Sequence, residues 1–191
     1  MPHVYIGLVH YPIYNKNGSV ITTAVTNFDV HDIARTARTY NIIHYFIIHP
    51  LESQVALVRE IMGYWQQGFG GQYNPDRKEA FDIIRISPDI QAACETITDM
   101  EGKKPIIVTT DARTFPNSIS YAAMRTVLEE DSRPLFLLFG TGWGMEQSVM
   151  AQFDYILDPV YGGGEYNHLP VRAAVAIILD RLLGEVWWNK K

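Results

Sequence analysis

Short continuous apolar runs alternate along this chain with segments whose apolar positions recur at helical spacing. Residues 4–9 form an apolar run that predicts a strand buried on both faces. Across 29–40, Val30, Ile33, Ala34 and Ala37 fall at helical intervals and predict a helix. Residues 42–48 (IIHYFII) predict a strand, and 53–65 a helix with Val55, Val58, Ile61, Met62 and Trp65 on one face. The alternation continues with a strand over 81–86, a helix over 88–100 with Pro88 near its first turn, and a strand over 105–109. A helix over 118–128, a strand over 134–139, a short helix over 145–152 and a minimal strand over 155–157 follow. A long apolar helix over 171–183 closes the pattern.

Strands alternating with helices imply an α/β fold, a mainly parallel sheet with helices on both faces. No repeat, low-complexity tract or long linker divides the chain, so residues 1–191 are expected to form a single domain. Two stretches escape the pattern and predict long loops: 11–26, polar with an Asn17-Gly18 turn signal, and 66–78 (QQGFGGQYNPDRK). The first suggests function; the second fits a functional loop or a mobile surface loop equally.

Composition narrows the class. The 191 residues are 47% apolar and 19% charged, a globular balance. No apolar run approaches the roughly 20 residues that span a bilayer, and no signal peptide is expected at Met1-Pro2-His3. The one cysteine, Cys94, has no intramolecular disulfide partner, and a cytoplasmic location is the expectation. A net charge of −5 argues against broad non-specific nucleic-acid binding but leaves room for a local basic patch. The six histidines show no H-E-x-x-H spacing and there is no Cys pair, so no metal site is expected.

Ligands of open parallel sheets bind outside the carboxyl ends of the strands. Three such ends carry unusual chemistry: Thr109-Thr110-Asp111, the run Phe139-Gly140-Thr141-Gly142-Trp143-Gly144, and the stretch from Asp158 through Gly162-Gly163-Gly164 to His168. Alternate glycines let the backbone turn sharply and approach a ligand. They do not make a dinucleotide fingerprint, because its third glycine would fall at Met145 and the run comes late in the chain. Glycine spacing alone fits a tight turn without a ligand as well. Three consecutive glycines cost conformational entropy and suit a backbone that wraps a ligand or threads past another segment.

The segments LLFGTGWGMEQSV, FDYILDPV and EYNHLPVRAAVAIILDRL resemble motifs two and three of the SPOUT (SpoU-TrmD) methyltransferases. DVHDIARTARTYNIIHYFII resembles the SpoU-type first motif, with Asp29 in place of its asparagine and Arg35-Thr36 on its Arg-Thr. The order of motifs is similar to a stand-alone branch of the superfamily whose members also occur fused to tRNA guanine-N1 methyltransferase. The resemblance implies a C-terminal deep trefoil knot, which no periodicity reveals. It implies an S-adenosylmethionine-dependent RNA methyltransferase acting on tRNA or rRNA, at a ribose 2′-oxygen or a base.

It also implies a bent cofactor over Gly140, with Asp158 and Leu169 giving backbone contacts around the adenine. Thr110, Gly142, Gly164, Tyr166, Asn167 and His168 are its expected neighbours. A homodimer is implied, with the active site completed by the partner. The final helix and Trp187-Trp188 suit either that interface or the chain's own core. Arg35 is the candidate for electrostatic stabilisation or phosphate positioning, against a plain surface pair with Asp32. Asp29, His31, Asp111, Glu165 and His168 are candidate general bases, while His44 and His49, flanking a strand, read as structural. His168-Leu169-Pro170-Val171-Arg172 departs from the family's S-L-N-V-S, which puts 2′-O-methylation in doubt and leaves base methylation open.

Arg35, Arg38, Arg77, Lys78, Arg113 and Arg172, with Tyr14, Tyr64 and Tyr73, form the candidate RNA surface. Two other readings stand beside this one. The first is a catalytically silent SPOUT-like module that binds the cofactor or a partner. The second is an unknotted nucleotide-binding domain whose glycines hold phosphate.

Overall fold

The computed structural model describes residues 2–184. Seven parallel strands form one sheet: β1 (Val4–Val9), β4 (Tyr45–Ile48), β5 (Ile84–Ser87), β6 (Ile106–Thr110), β7 (Ser118–Ile119), β8 (Leu135–Gly140) and β9 (Tyr155–Leu157). Their spatial order is β5-β4-β1-β8-β6-β9-β7. Eight helices accompany them among the described residues: α1 (Asn27–Thr39), α2 (Glu52–Gln66), α3 (Phe69–Tyr73), α4 (Pro75–Phe81), α5 (Ile90–Glu101), α6 (Tyr121–Glu130), α7 (Gln147–Met150) and α8 (Val171–Leu183). Trp187 and Trp188 lie outside the described residues.

The continuous apolar runs are explained by burial on both faces. Ile6 and Leu8 of β1, with Leu135, Leu137 and Phe139 of β8, join the larger core cluster, to which α1, α6 and α8 contribute. Tyr5, Val9, Phe136 and Leu138 point the other way, into a second cluster with Ala93 and Ile97 of α5. β8 pairs with β1 through Val4↔Leu135 to Val9↔Gly140 and with β6 through Ile106↔Leu135 to Thr110↔Phe139. It is therefore a central strand, and its C-terminus opens between two others.

Four expectations need correction. Residues 66–78 are not a loop. Asn74 caps α4 by accepting from the Arg77 amide, and Pro75 takes the first helical turn. Residues 81–86 are not one strand, since Phe81 ends α4 and β5 starts at Ile84. Of residues 42–48 only Tyr45–Ile48 form the strand, although the Ile43 amide already donates to the Val4 carbonyl (2.9 Å) and the His44 carbonyl accepts from the Ile6 amide (3.1 Å); Ile42 instead returns its amide to the Ala37 carbonyl (3.0 Å) and buries its side chain. Ser118 and Ile119 form an edge strand, and α6 begins after the Ser120 cap.

The stretch 11–26 carries a small hairpin, β2 (Ile13–Tyr14) against β3 (Val20–Ile21). Asn15 closes its turn by accepting from the Asn17 and Ser19 amides at 2.8 and 3.0 Å. Ile13 is fully buried, which pins the hairpin to the domain.

Candidate active site

A cleft of about 700 Å³ opens at the carboxyl ends of β6, β8 and β9, where the sheet order places the crossover strands. Its apolar wall comes from Phe139, Val160, Leu169, Val171, Ala174 and Ile178. Thr110, Asp111, Asn167, His168 and Asp158 supply polar groups around it. A pocket of this size and mixed lining suits a small organic cofactor.

The glycine loop after β8 is held from outside by the hairpin. The Tyr14 amide donates to the Gly144 carbonyl (2.9 Å) and the Trp143 amide to the Tyr14 carbonyl (3.1 Å). Gly144 sits at φ +94, and a Cβ there would lie 2.8 Å from Asp111 Oδ2. Glycine is therefore required both by conformation and by the approach of the β6 loop. In contrast, nothing lies within 4 Å of a Cβ placed on Gly162, Gly163 or Gly164. Packing among the described residues does not demand that triplet.

Polar side chains tie the rim together. The Asp111 carboxylate takes two bonds from the Arg113 guanidinium (2.9 and 2.8 Å), which holds the arginine above its usual pKa. Asn167 Nδ2 donates to the Ala112 carbonyl at 2.6 Å, fastening the C-terminal loop to the β6 loop. Thr141 Oγ1 donates to the Val9 carbonyl (3.0 Å) and meets Thr23 Oγ1 (2.5 Å). Behind Thr23, His10 Nδ1 lies 2.9 Å from the same hydroxyl and His49 Nε2 lies 2.9 Å from the Thr23 carbonyl. Burial, then the neighbouring His49, lowers His10 to about 3.

Of the residues singled out from sequence, Asp29, Thr110, Gly140, Gly142, Asp158, Asn167, His168 and Leu169 all line the cleft. Gly164 and Tyr166 are exposed and lie outside its lining, and Tyr166 stacks edge-on against His168. Arg35 is exposed on α1 and is not among the lining residues.

Asp29 is buried and doubly engaged. It accepts from Thr26 Oγ1 (2.6 Å) in a reciprocal cap of α1, and Arg172 Nη1 lies 3.3 Å from its other oxygen. Asp32, the sequence-based partner for Arg35, instead pairs with Arg172 Nε at 3.3 Å. Arg38 pairs with Glu79, and Arg77 stacks 4.8 Å over the Trp65 ring. Much of the expected basic surface is thus neutralised internally. Thr141 and Trp143, part of the glycine run noted in the sequence but given no role there, also border the cleft, as does Thr23, which the sequence did not single out. The unexplained length of 11–26 was the one signal for Thr23.

Among the described residues, no group of three or more His, Cys, Asp or Glu could hold a metal, and no helix could cross a membrane.

A parallel sheet with a glycine-walled cleft at the carboxyl ends of its strands defines an α/β protein with room for a small organic ligand. The family described as SAM-dependent RNA methyltransferase matches residues 3–184, and the chain belongs to it. An uncharacterized protein of Aquifex aeolicus is 43% identical over 94% of this chain and 88% of its own length. A tRNA (guanine-N(1)-)-methyltransferase of Nitratidesulfovibrio vulgaris is 42% identical over 97% of this chain. The chain spans only 43% of the length of that relative.

Among solved structures, a probable methylase family protein from Haemophilus influenzae superposes with a TM-score of 0.60 at 13% identity, over 100% of this chain and 70% of its own. The SpoU methyltransferase AviRb from Streptomyces viridochromogenes, in complex with AdoMet, gives 0.56 at 11% identity, over 95% and 59%. The chain thus shares its fold with the SpoU methyltransferase AviRb, and its family's cofactor is S-adenosylmethionine.

Proposed function

We propose that this chain transfers a methyl group from S-adenosylmethionine to a tRNA or rRNA, at a ribose 2′-oxygen or a base atom. The observation that carries this reading is the cleft of about 700 Å³, walled by the glycine loop after β8 and the loop before α8, in a chain of the SAM-dependent RNA methyltransferase family. Gly140 and Gly142 bring backbone close to the cofactor, and Thr110, Asp158, Asn167, His168 and Leu169 surround it. Gly164 and Tyr166 flank it on the same loop.

When bound, the cofactor supplies an electrophilic methyl on a sulfonium. His168, exposed on the rim, takes the proton released by the attacking O–H or N–H. Asp29, with both oxygens engaged, holds α1 against α8 rather than moving a proton. Arg35 lies outside its own cleft, which favours a homodimer in which the partner subunit's Arg35 positions phosphate or stabilises charge at this one. The C-terminal loop passing beside β6 on its way to α8 fits the deep trefoil knot. The working location is the cytoplasm. The placement of Arg35 outside the cleft of its own chain also supports the second reading, a silent SPOUT-like module that binds cofactor or a partner without transfer.

Calorimetric titration with S-adenosylmethionine and S-adenosylhomocysteine tests the site. A Cβ on Gly140 would press on Met145, at 3.1 Å from its Cγ and 3.2 Å from its amide nitrogen. Gly140→Val, checked for folding by its melting curve, is expected to lose binding that the wild type shows. Absence of binding to the wild type overturns the reading. Transfer of labelled methyl to bulk tRNA or rRNA then separates enzyme from silent module, and sedimentation tests the dimer.

A further inference from the structure

A second cavity of about 410 Å³ adjoins the cofactor cleft and shares Arg113 and Trp143 with it. We infer that this cavity is a mononucleotide subsite for the RNA, with a base stacked on Trp143 and its phosphate met by Lys16 and Arg113. The inference rests on the reading of RNA as substrate and goes further by naming where one nucleotide sits.

Trp143 is 64% exposed, an unusual position for the largest apolar side chain. It is nevertheless carried on a fixed backbone. Gly142 (φ +55) and Gly144 (φ +94) bracket it, and three bonds to the hairpin hold the segment. These are Trp143 to Tyr14 at 3.1 Å, Tyr14 to Gly144 at 2.9 Å and Glu146 to Pro12 at 3.2 Å. A flat aromatic face held in place next to a cleft is a stacking platform that needs little ordering on binding.

The chemistry around the indole is that of a nucleotide rather than of an apolar partner. The Arg113 guanidinium is fixed by Asp111, and the absent Cβ of Gly144 lets that pair lie against the loop that bears the indole. Lys16 is exposed at the hairpin tip. Gln147, exposed at the start of α7, offers an amide that both donates and accepts, as a base edge requires. One aromatic face, one ambivalent amide and the exposed Lys16 ammonium, with the Asp111-paired Arg113 guanidinium beside it, match base, base edge and phosphate. Sharing two lining residues with the cleft puts the nucleotide beside the space where the cofactor would be held.

The full chain labelled with 5-fluorotryptophan gives a ¹⁹F line for Trp143, identified by its absence in Trp143→Phe. Titration with the four nucleoside 5′-monophosphates and the matching nucleosides is expected to shift that line saturably for at least one base. Lys16→Glu is expected to weaken the monophosphate about fivefold or more and leave the nucleoside unchanged. On bulk tRNA or rRNA, Trp143→Ala is expected to raise KM about tenfold, with cofactor affinity preserved and Trp143→Tyr near wild type. No shift with any nucleotide overturns the inference. So does an unchanged RNA KM in Trp143→Ala. Loss of cofactor affinity in that variant assigns the indole to the cofactor and also overturns it. A changed oligomeric state with no nucleotide response assigns Trp143 to a subunit contact. Failure of the wild type to bind S-adenosylmethionine sinks the proposed function instead, and the nucleotide titration remains readable by itself.

Discussion

Replacing Arg172 with Met isolates the tie between the first and last helices. Arg172 Nη1 lies 3.3 Å from Asp29 and its Nε 3.3 Å from Asp32, and its guanidinium sits 5.4 Å over the Phe28 ring. The Asp29 side chain is 8% exposed, while those of Arg172 and Asp32 are 36% and 47% exposed. Removing one partner of a fully buried pair costs about 3–5 kcal/mol, and an exposed pair contributes about 0–1. With the arginine a third in water, the Asp29 pair falls between these, at about 1–2 kcal/mol. The Asp32 pair adds a few tenths. Methionine retains the stem against Phe28 but leaves the Asp29 carboxylate with Thr26 alone. The total of about 2 kcal/mol corresponds to a melting temperature lowered by about 4–8 °C for a domain of this size. Scanning calorimetry measures it, and a double-mutant cycle with Asp29→Asn isolates the pair. A drop below about 1 °C, or additivity in the cycle, would refute the clamp.

Three further outcomes follow from the same contacts. Gly144→Ala forces a side chain into φ +94 with its Cβ 2.8 Å from Asp111 Oδ2, and is expected to lower stability by about 1–3 kcal/mol in urea unfolding. His10 is lowered from 6.5 to about 3, so the unfolded chain takes up a proton that the native chain refuses between those values. Stability is therefore expected to fall as pH drops below 6.5 towards 3, with a shallower slope in His10→Gln, measured by urea midpoints across pH. Asn167→Ala removes the 2.6 Å bond to the Ala112 carbonyl; faster proteolysis within 158–170 and about tenfold weaker S-adenosylmethionine binding are expected. Unchanged protection and affinity would show that the loop is held by other contacts.

Much of the architecture was present in local pattern, because a strand buried on both faces must be apolar throughout. The runs at 4–9, 134–139 and 155–157 and the helix at 171–183 were therefore placed nearly to the residue. Helix α4 was also readable in principle. Its Asn-Pro cap and the DRKEAF run carry the signal, but the glycines before it drew the whole stretch into a loop. The glycine loop after β8 and the C-terminal loop were visible as compositional departures from an otherwise regular alternation.

What sequence order did not contain was which distant segments meet. The hairpin at 13–21 reaches the glycine loop more than a hundred residues away through backbone bonds, and backbone bonds leave no mark on residue type. Asp29 reads as a free carboxylate until Arg172 and Thr26 are placed against it. Arg35 reads as a site residue until the cleft is seen to open elsewhere in its own chain. Residue types determined the strands, the helices and the loops with room for a ligand. The tertiary structure decided which charges are already neutralised and which aromatic face is left to the solvent. Ion pairing and exposure depend on through-space distance, which the order of residues does not fix.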